Sequence, residues 1–280
     1  MPGQWNAPAR ARPFTYRRYT VAMSLDFYDT HCHLNHADYD ADGEEVRARA
    51  RDAGVSRLLC IGWDLDSSRR AAEIAREPGI SAAVGIHPES GDEWDEDAAR
   101  EMARLHAGGG VAAYGEIGLD YHWEGVPRAR QQEVFAAQVA FARTLSPALP
   151  LIIHNREALE DTLAVLRASG TPAPVIMHCF VGDVSAARAC LDAGHWLGIG
   201  GVATFKKSDD LRAAIAHAPL ERLLLETDCP YLAPQFKRGR RNEPSYLPSV
   251  AQTVAEAKGL SIEEVAHATT ASALVLFGAG

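Results

Sequence analysis

The 280-residue chain is 47% hydrophobic, 8% aromatic and 23% charged, the balance of a soluble protein with enough apolar surface for a large core, which excludes disorder on a large scale. Its formal net charge of −9 argues against a protein that coats long duplex DNA, because sequence-independent binding rests on Lys and Arg neutralising phosphates, so a nucleic-acid ligand has to be held locally. The cysteines Cys32, Cys60, Cys179, Cys190 and Cys229 are odd in number and lack CxxC spacing, which fits neither a disulfide framework nor a zinc ribbon and suits a reducing, cytoplasmic setting.

Residues 1–22 contain Arg10, Arg12, Arg17 and Arg18, no acid and no apolar period. They read as a disordered N-terminal arm or an upstream start-site artefact; an organellar transit peptide competes, but the segment is poor in serine. There is no apolar middle of a signal peptide, and no apolar run approaches the roughly 18 residues of a membrane span, so no membrane partner is expected. From Leu25 onward, short apolar runs alternate with stretches of helical period. The runs are Leu25–Asp29, Arg57–Ile61, Ser81–Ile86, Val111–Glu116, Leu149–His154, Val175–His178, Trp196–Gly200 and Leu223–Glu226. Between them, stretches such as Arg128–Leu145 and Ala158–Ser169 have the spacing of helices packed on one face. Eight βα units in this length predict an α/β fold, a single (β/α)8 TIM-type barrel over residues 23–280. No GxGxxG or GxxxxGK[ST] run follows a strand, so no organic cofactor is expected.

Polar, metal-competent residues end several of these runs, where a barrel places its active site. The first leads into Asp29-Thr30-His31-Cys32-His33. Alternation along an extended segment turns His31 and His33 the same way and Cys32 the other. The fourth ends at Glu116 and continues to Tyr121, the fifth ends in His154-Asn155-Arg156, the sixth in His178-Cys179-Phe180 and the eighth in Glu226-Thr227-Asp228-Cys229-Pro230. A lone histidine after a strand is usually a hydrogen-bonded core residue. Four histidines and two carboxylates on five strand ends are costly to bury together without a cation, which points to a metal site.

These residues, in this order, resemble the TatD family of metal-dependent deoxyribonucleases, a branch of the amidohydrolase-like barrels. The likeness runs from about Phe27 to Gly278 through DTHCHL at Asp29, GIHP at Gly85, GEIGLDY at Gly115, HCF at His178, ETDCPYLAP at Glu226 and RNEP at Arg241. It implies two divalent metal ions, one held by His31, His33 and Asp228, the other by His154 and His178, with Glu116 bridging both. Relatives of the phosphotriesterase type use a modified lysine as the bridge; Glu116 favours the TatD branch. Two divalent cations outweigh the two carboxylates, and a net positive site suits a phosphodiester anion. A water between such cations is acidified enough to attack near neutral pH, with Asp228 orienting it and accepting its proton. His-rich ligation favours Zn, Mn or Co, whereas the family is usually described as Mg-dependent, so Mg, Mn and Zn all stay open.

Around this centre, Arg156 is a candidate phosphate clamp, with Glu157 and Glu243 as competing partners. His87 is a candidate substrate contact, and Tyr121, Trp123 and Tyr231 could stack bases. Lys206-Lys207 beside Phe205, and the run Lys237-Arg238-Gly239-Arg240-Arg241, make local positive spots, with Lys206, Arg238 and Arg240 as candidate phosphate contacts. The expected activity is hydrolysis of DNA phosphodiester bonds from a 3′ end, single-stranded or frayed. Two readings compete: hydrolysis of a small ester or amide, as by a D-aminoacyl-tRNA deacylase, and a non-enzymatic nucleic-acid-end-binding module. The oligomeric state is not expressed in the sequence.

Overall fold

The computed structural model describes residues 25–278; the expected arm over residues 1–22 lies outside the described residues. Eight parallel strands follow one another in sequence order: β1 Phe27–Cys32, β2 Val55–Ile61, β3 Ile80–Val84, β4 Val111–Asp120, β5 Leu151–Arg156, β6 Val175–Met177, β7 Trp196–Ile199 and β8 Leu223–Leu225. A bridge between Cys32 and Cys229 brings the last segment back to the first, completing the barrel. The crossover helices are α1 Gly43–Asp52, α2 Leu65–Ile74, α3 Glu96–Ala107, α4 Arg128–Ala142, α5 Leu159–Ser169, α6 Val184–Asp192 and α7 Asp209–His217, and two more follow β8, α8 Leu247–Lys258 and α9 Ile262–Phe277. All eight expected strands are present with shifted ends. β1 continues to Cys32 and β4 to Asp120, while β6 and β8 stop one residue earlier than expected. None of the described helices is long and apolar enough to cross a membrane.

The buried apolar residues divide into two clusters, as alternation along the strands requires. Tyr28, Leu59, Ile61, Ala83, Ala113, Ile152, Ile176 and Leu224 form the smaller one, the filling of the barrel. Their sequence neighbours, such as Leu58, Cys60, Leu151, Ile153, Val175, Met177, Leu223 and Leu225, belong to the larger cluster, between strands and helices. Ala273 and Phe277 of α9 join the inner cluster, with the Phe277 ring 6.0 Å from that of Tyr28, so α9 covers the N-terminal end of the barrel. Continuing the alternation of Ile152, Ile176 and Leu224 by two residues brings His154, His178 and Glu226 to the C-terminal mouth.

β1 and β4 break that alternation. Between the pairs Asp29–Leu58 and Cys32–Cys60, β1 carries one residue more than β2. Between Tyr114–Leu151 and Ile117–Ile153, β4 carries one more than β5. Each extra residue reverses the facing of the side chains beyond it, so that His31 and Glu116, which strict alternation from Tyr28 and Ala113 would turn outward, face the axis. Gly115 makes the second irregularity possible: its φ is +148°, and a Cβ there would lie 2.5 Å from the Ile152 carbonyl oxygen.

The seam between β1 and β8 is held mainly beyond the short strand β8. The Asp29 carboxylate accepts the Thr227 backbone N–H at 3.0 Å and its hydroxyl at 2.6 Å, and the Thr30 hydroxyl donates to the Leu225 carbonyl at 3.0 Å. Burial pushes the Asp29 carboxyl up to about 7, against the Thr227 hydrogen bonds that favour its charged form. Thr227→Val removes the hydroxyl donor while keeping the shape. It should cost roughly 1–3 kcal/mol, the range for leaving a buried acceptor short of a partner, read as a lower urea midpoint with unchanged slope. An unchanged midpoint would mean that backbone pairing alone holds the seam.

Candidate metal centre

Glu116 is the hub of the mouth. Its carboxylate is 4% exposed, and its two oxygens face different partners. Oε2 lies 3.5 Å from His31 Nε2; Oε1 lies 2.7 Å from His154 Nδ1 and 2.9 Å from His178 Nε2. On the first side, His31 Nε2 and His33 Nε2 are 3.3 Å apart, and Asp228 Oδ1 is 3.7 Å from the former and 3.3 Å from the latter. The His31 and His178 rings stack at 3.9 Å between centroids, joining the two sides. Asp228 reaches this position because its N–H donates to the His31 carbonyl at 2.9 Å, while the His33 N–H donates to the Cys229 carbonyl at 2.8 Å.

The electrostatics reflect that crowding. Burial pushes the Glu116 carboxyl up, but His178, His154 and His31 outweigh it and hold the group well below the usual carboxylate range. Asp228 behaves alike: burial raises it, and His33, His178 and His31 bring it below its ordinary value. Burial lowers His87 to about 3, aided by the neighbouring His154, so its imidazole is neutral.

The donor set fits divalent cations. Groups of three or more ligand atoms come within 4.8 Å of one another in His31, His178 and Asp228, in His31, His33 and Glu116, and in Glu116, His154 and His178. Every member is a nitrogen or oxygen donor, and His31, His178 and Glu226 each retain a buried polar atom without a hydrogen-bond partner. Such convergence of imidazoles on shared carboxylates is costly unless a cation completes it.

The other candidates are placed around this centre or away from it. His87, Arg156 and Tyr231 line a mouth cavity of about 710 Å³ together with Asp120, Trp123, His154, His178 and Asp228. Arg156 forms no ion pair among the described residues; its guanidinium lies 5.6 Å from the Trp123 ring centre. Its two expected competitors are engaged elsewhere, Glu243 with Arg49 at 2.7 Å and Glu157 with His122 at 2.9 Å. Lys206 and Arg238 line a separate groove with Phe205, Lys207 and Gln235, and Arg240 lines neither. The groove adjoins the mouth through the Gly201–Thr204 turn, which carries Val202 at the cavity wall and leads into Phe205. Arg241 is not a free cation, since it is bound to Asp42 at 2.6 Å. Tyr121 is not among the residues lining the mouth cavity; its hydroxyl donates to Asp161 at 2.7 Å and the Arg128 guanidinium lies 4.4 Å from its ring centre. Cys32 and Cys229 lie in the core, but Cys179, with φ of +43°, leaves the strand pattern and lines the cavity.

Two carboxylates beside the candidate ligands are not among the residues singled out from the sequence. Asp120 Oδ2 is 3.0 Å from His154 Nε2, and Glu226 Oε1 is 3.4 Å from His178 Nδ1. Ending the fourth run at Glu116 hid Asp120. Glu226 ended the eighth run, and alternation from Leu224 would have aimed it inward.

A (β/α)8 barrel with imidazoles and carboxylates converging at its C-terminal mouth defines a metal-dependent hydrolase. The chain belongs to the TatD related DNase family, which matches residues 28–278. It is 43% identical over 252 residues to YabD of Bacillus subtilis, described as an uncharacterized metal-dependent hydrolase, covering 89% of this chain and 98% of that one. Over 258 residues it is 36% identical to a Klebsiella pneumoniae protein named 3'-5' ssDNA/RNA exonuclease TatD, covering 90% and 97%. The crystal structure of the TatD homologue YjjV from Escherichia coli aligns with a TM-score of 0.86 at 27% identity, covering 92% of this chain and all of that one.

The separate facings of Glu116 generate a metal-content test. Glu116→Ala should lower occupancy on both sides, whereas His154→Ala should spare the side of His31, His33 and Asp228. Metal analysis after dialysis against a defined cation should show about twice the loss in the first variant; equal losses would remove Glu116 from its shared role.

Proposed function

We propose that the protein is a two-metal exonuclease that removes nucleotides from the 3′ end of single-stranded or frayed DNA. The observation that carries this reading is the Glu116 carboxylate, with one oxygen toward His31 and the other toward His154 and His178. The relative named a 3'-5' ssDNA/RNA exonuclease supports the substrate class and brings RNA into the test. In this reading His31, His33 and Asp228 hold one cation, His154 and His178 the other, and Glu116 both. When bound, Mg, Mn or Zn ions supply acidification of water and neutralisation of charge on the phosphoryl oxygens.

The chain's own groups supply the rest. Asp228 Oδ1 faces His33 and His31, which leaves Oδ2 to orient the attacking water and take its proton. The His87 Nδ1 accepts the Glu89 N–H at 3.2 Å, so the ring's proton sits on Nε2, where it can donate to a phosphoryl oxygen. Arg156, which has no acidic partner among the described residues, clamps a phosphate, while Trp123 and Tyr231, each about half exposed, stack bases at the rim. The barrel interior is filled below the mouth, so a chain end enters more easily than the middle of a duplex. Lys206, Arg238 and Arg240 then contact phosphates farther along the strand. The five cysteines are all unpaired, as a reducing cytoplasm would keep them.

The direct test supplies metal-stripped protein separately with Mg, Mn or Zn and end-labelled single-stranded DNA, duplex DNA, RNA and an acyl ester. Stepwise shortening from the 3′ end of single strands is expected, with Asp228→Asn slower by about 10²-fold, the scale of a lost general base, at near-normal metal content. Ester cleavage with intact DNA would make the protein an acyl hydrolase, such as a D-aminoacyl-tRNA deacylase. End binding without cleavage would make it a binding module.

The basic groove has its own signature. Lys206→Glu with Arg238→Glu should raise the oligonucleotide KM and flatten its salt dependence, while turnover of a small phosphodiester stays unchanged. An unaltered KM across a range of salt would remove the groove from the substrate path.

A further inference from the structure

Each imidazole that faces Glu116 Oε1 has a second carboxylate behind it. His154 presents Nδ1 to Glu116 at 2.7 Å and Nε2 to Asp120 Oδ2 at 3.0 Å. His178 presents the opposite nitrogens, Nε2 to Glu116 at 2.9 Å and Nδ1 to Glu226 Oε1 at 3.4 Å, the latter close enough for charge attraction but not a formed hydrogen bond. The other two histidines lack this backing: His33 Nδ1 meets only the Ile61 carbonyl, at 3.1 Å, and His31 Nδ1 has no partner. The asymmetry separates one side of the centre from the other.

Both outer carboxylates are built into place. Asp120 is 1% exposed and Glu226 fully buried. Asp120 Oδ1 accepts the backbone N–H groups of His122 at 2.9 Å and Trp123 at 3.3 Å, which commits that oxygen and aims Oδ2 at His154. Glu226 Oε1 accepts the Cys179 N–H at 2.5 Å. Room for its carboxylate depends on Gly198, where a Cβ would strike Glu226 Oε2 and Cδ.

We propose that Asp120 and Glu226 are positioning residues that fix which nitrogen of His154 and of His178 is offered to the second cation, and so set that cation's affinity. This rests on the two-metal reading above. A carboxylate can only accept, so the nitrogen facing it carries the proton and the opposite nitrogen keeps its lone pair for a metal. Negative charge behind an imidazole also makes it a stronger donor.

The two isosteric substitutions differ in what they break. In Asp120→Asn the amide oxygen has to stay where two backbone N–H groups point, which turns the NH2 toward His154 Nε2. Donor then meets donor, and the required tautomer is disfavoured. In Glu226→Gln the amide oxygen stays at the Oε1 position, where it still accepts from the Cys179 N–H and still faces His178 Nδ1, so only charge is lost.

The test is stepwise calorimetric titration of the metal-stripped full-length protein with Zn or Mn, beside histidine 15N NMR of the Zn-loaded form. Wild type should bind two ions and show a proton on His154 Nε2. Asp120→Asn should weaken the second ion by about 10–100-fold, the usual effect of removing such an outer partner, and should lose that Nε2 proton. Glu226→Gln should weaken it less, and both variants should keep first-ion affinity and thermal stability close to wild type. Unchanged second-ion affinity in Asp120→Asn would overturn the proposal while leaving the two-metal reading intact. Failure of wild type to bind ions would overturn the metal reading itself. Binding of three ions would put a cation among His87, Asp120 and His154, a trio of compatible donors, and would replace the hydrogen bond on which the proposal depends.

Discussion

The carboxylate of Glu116 sits buried against imidazoles from three other strands, and the structure around it is arranged to permit that. An ionised carboxylate out of water is tolerated only with close, oriented partners. His31 arrives from β1, His154 from β5 and His178 from the end of β6, each where the inner apolar filling gives way to polar side chains. The extra residue and Gly115 in β4 exist in the service of the same contact, since without them the carboxylate would point into the helix layer. Local distortion of β4 therefore serves the site, in keeping with the occurrence of strand irregularities beside active sites.

How far the site was legible in the sequence depends on the strand. For β5 and β6, the apolar run itself carries the phase that aims His154 and His178 inward, and simple alternation finds them. For β1, alternation relates His31 to His33 correctly but cannot say which way the pair faces, because the irregular register between Asp29 and Cys32 is a property of pairing with β2. Glu116 was recognisable by motif and not by period, for the same reason. Alternation from Leu224 aims Glu226 inward but cannot name its neighbour, and Asp120 lies beyond the end given to the fourth run; their approaches to His178 Nδ1 and His154 Nε2 are relations between strands that no single segment expresses. The RNEP run was read correctly as a mark of kinship, yet it packs: Arg241 pairs with Asp42, Glu243 with Arg49, and the Asn242 amide donates to the carbonyls of Thr227 and Tyr231.

Pairing also explains how an acidic protein can present a local positive surface. Many of its arginines are spent on carboxylates, as in Arg69 with Glu101 or Arg70 with Asp40. Lys206, Lys207, Arg238 and Arg156 form no such pairs among the described residues, and they lie in the groove or at the mouth. With a Debye length of about 8 Å at physiological salt, a distant excess of acid is felt weakly at these positions. Net charge is thus a guide to long-range behaviour, and the distribution of unpaired cations is a better guide to where an anion can rest.

The seam of the barrel and the chemistry of its mouth cannot be separated. The segment from Thr227 to Cys229 fastens β8 to β1 through Asp29 and through backbone bonds to His31 and His33, and the same segment carries Asp228 to the imidazole pair. A cation held by His31, His33 and Asp228 would draw together both sides of the seam, and any ligand bound by the folded state alone stabilises it. Conversely, loosening the seam moves Asp228 relative to its histidines before any ligand is removed. Fold closure and the placement of these candidate ligands are therefore expressions of one set of contacts, at the joint that a single bridge and the Asp29–Thr227 hydrogen bonds complete.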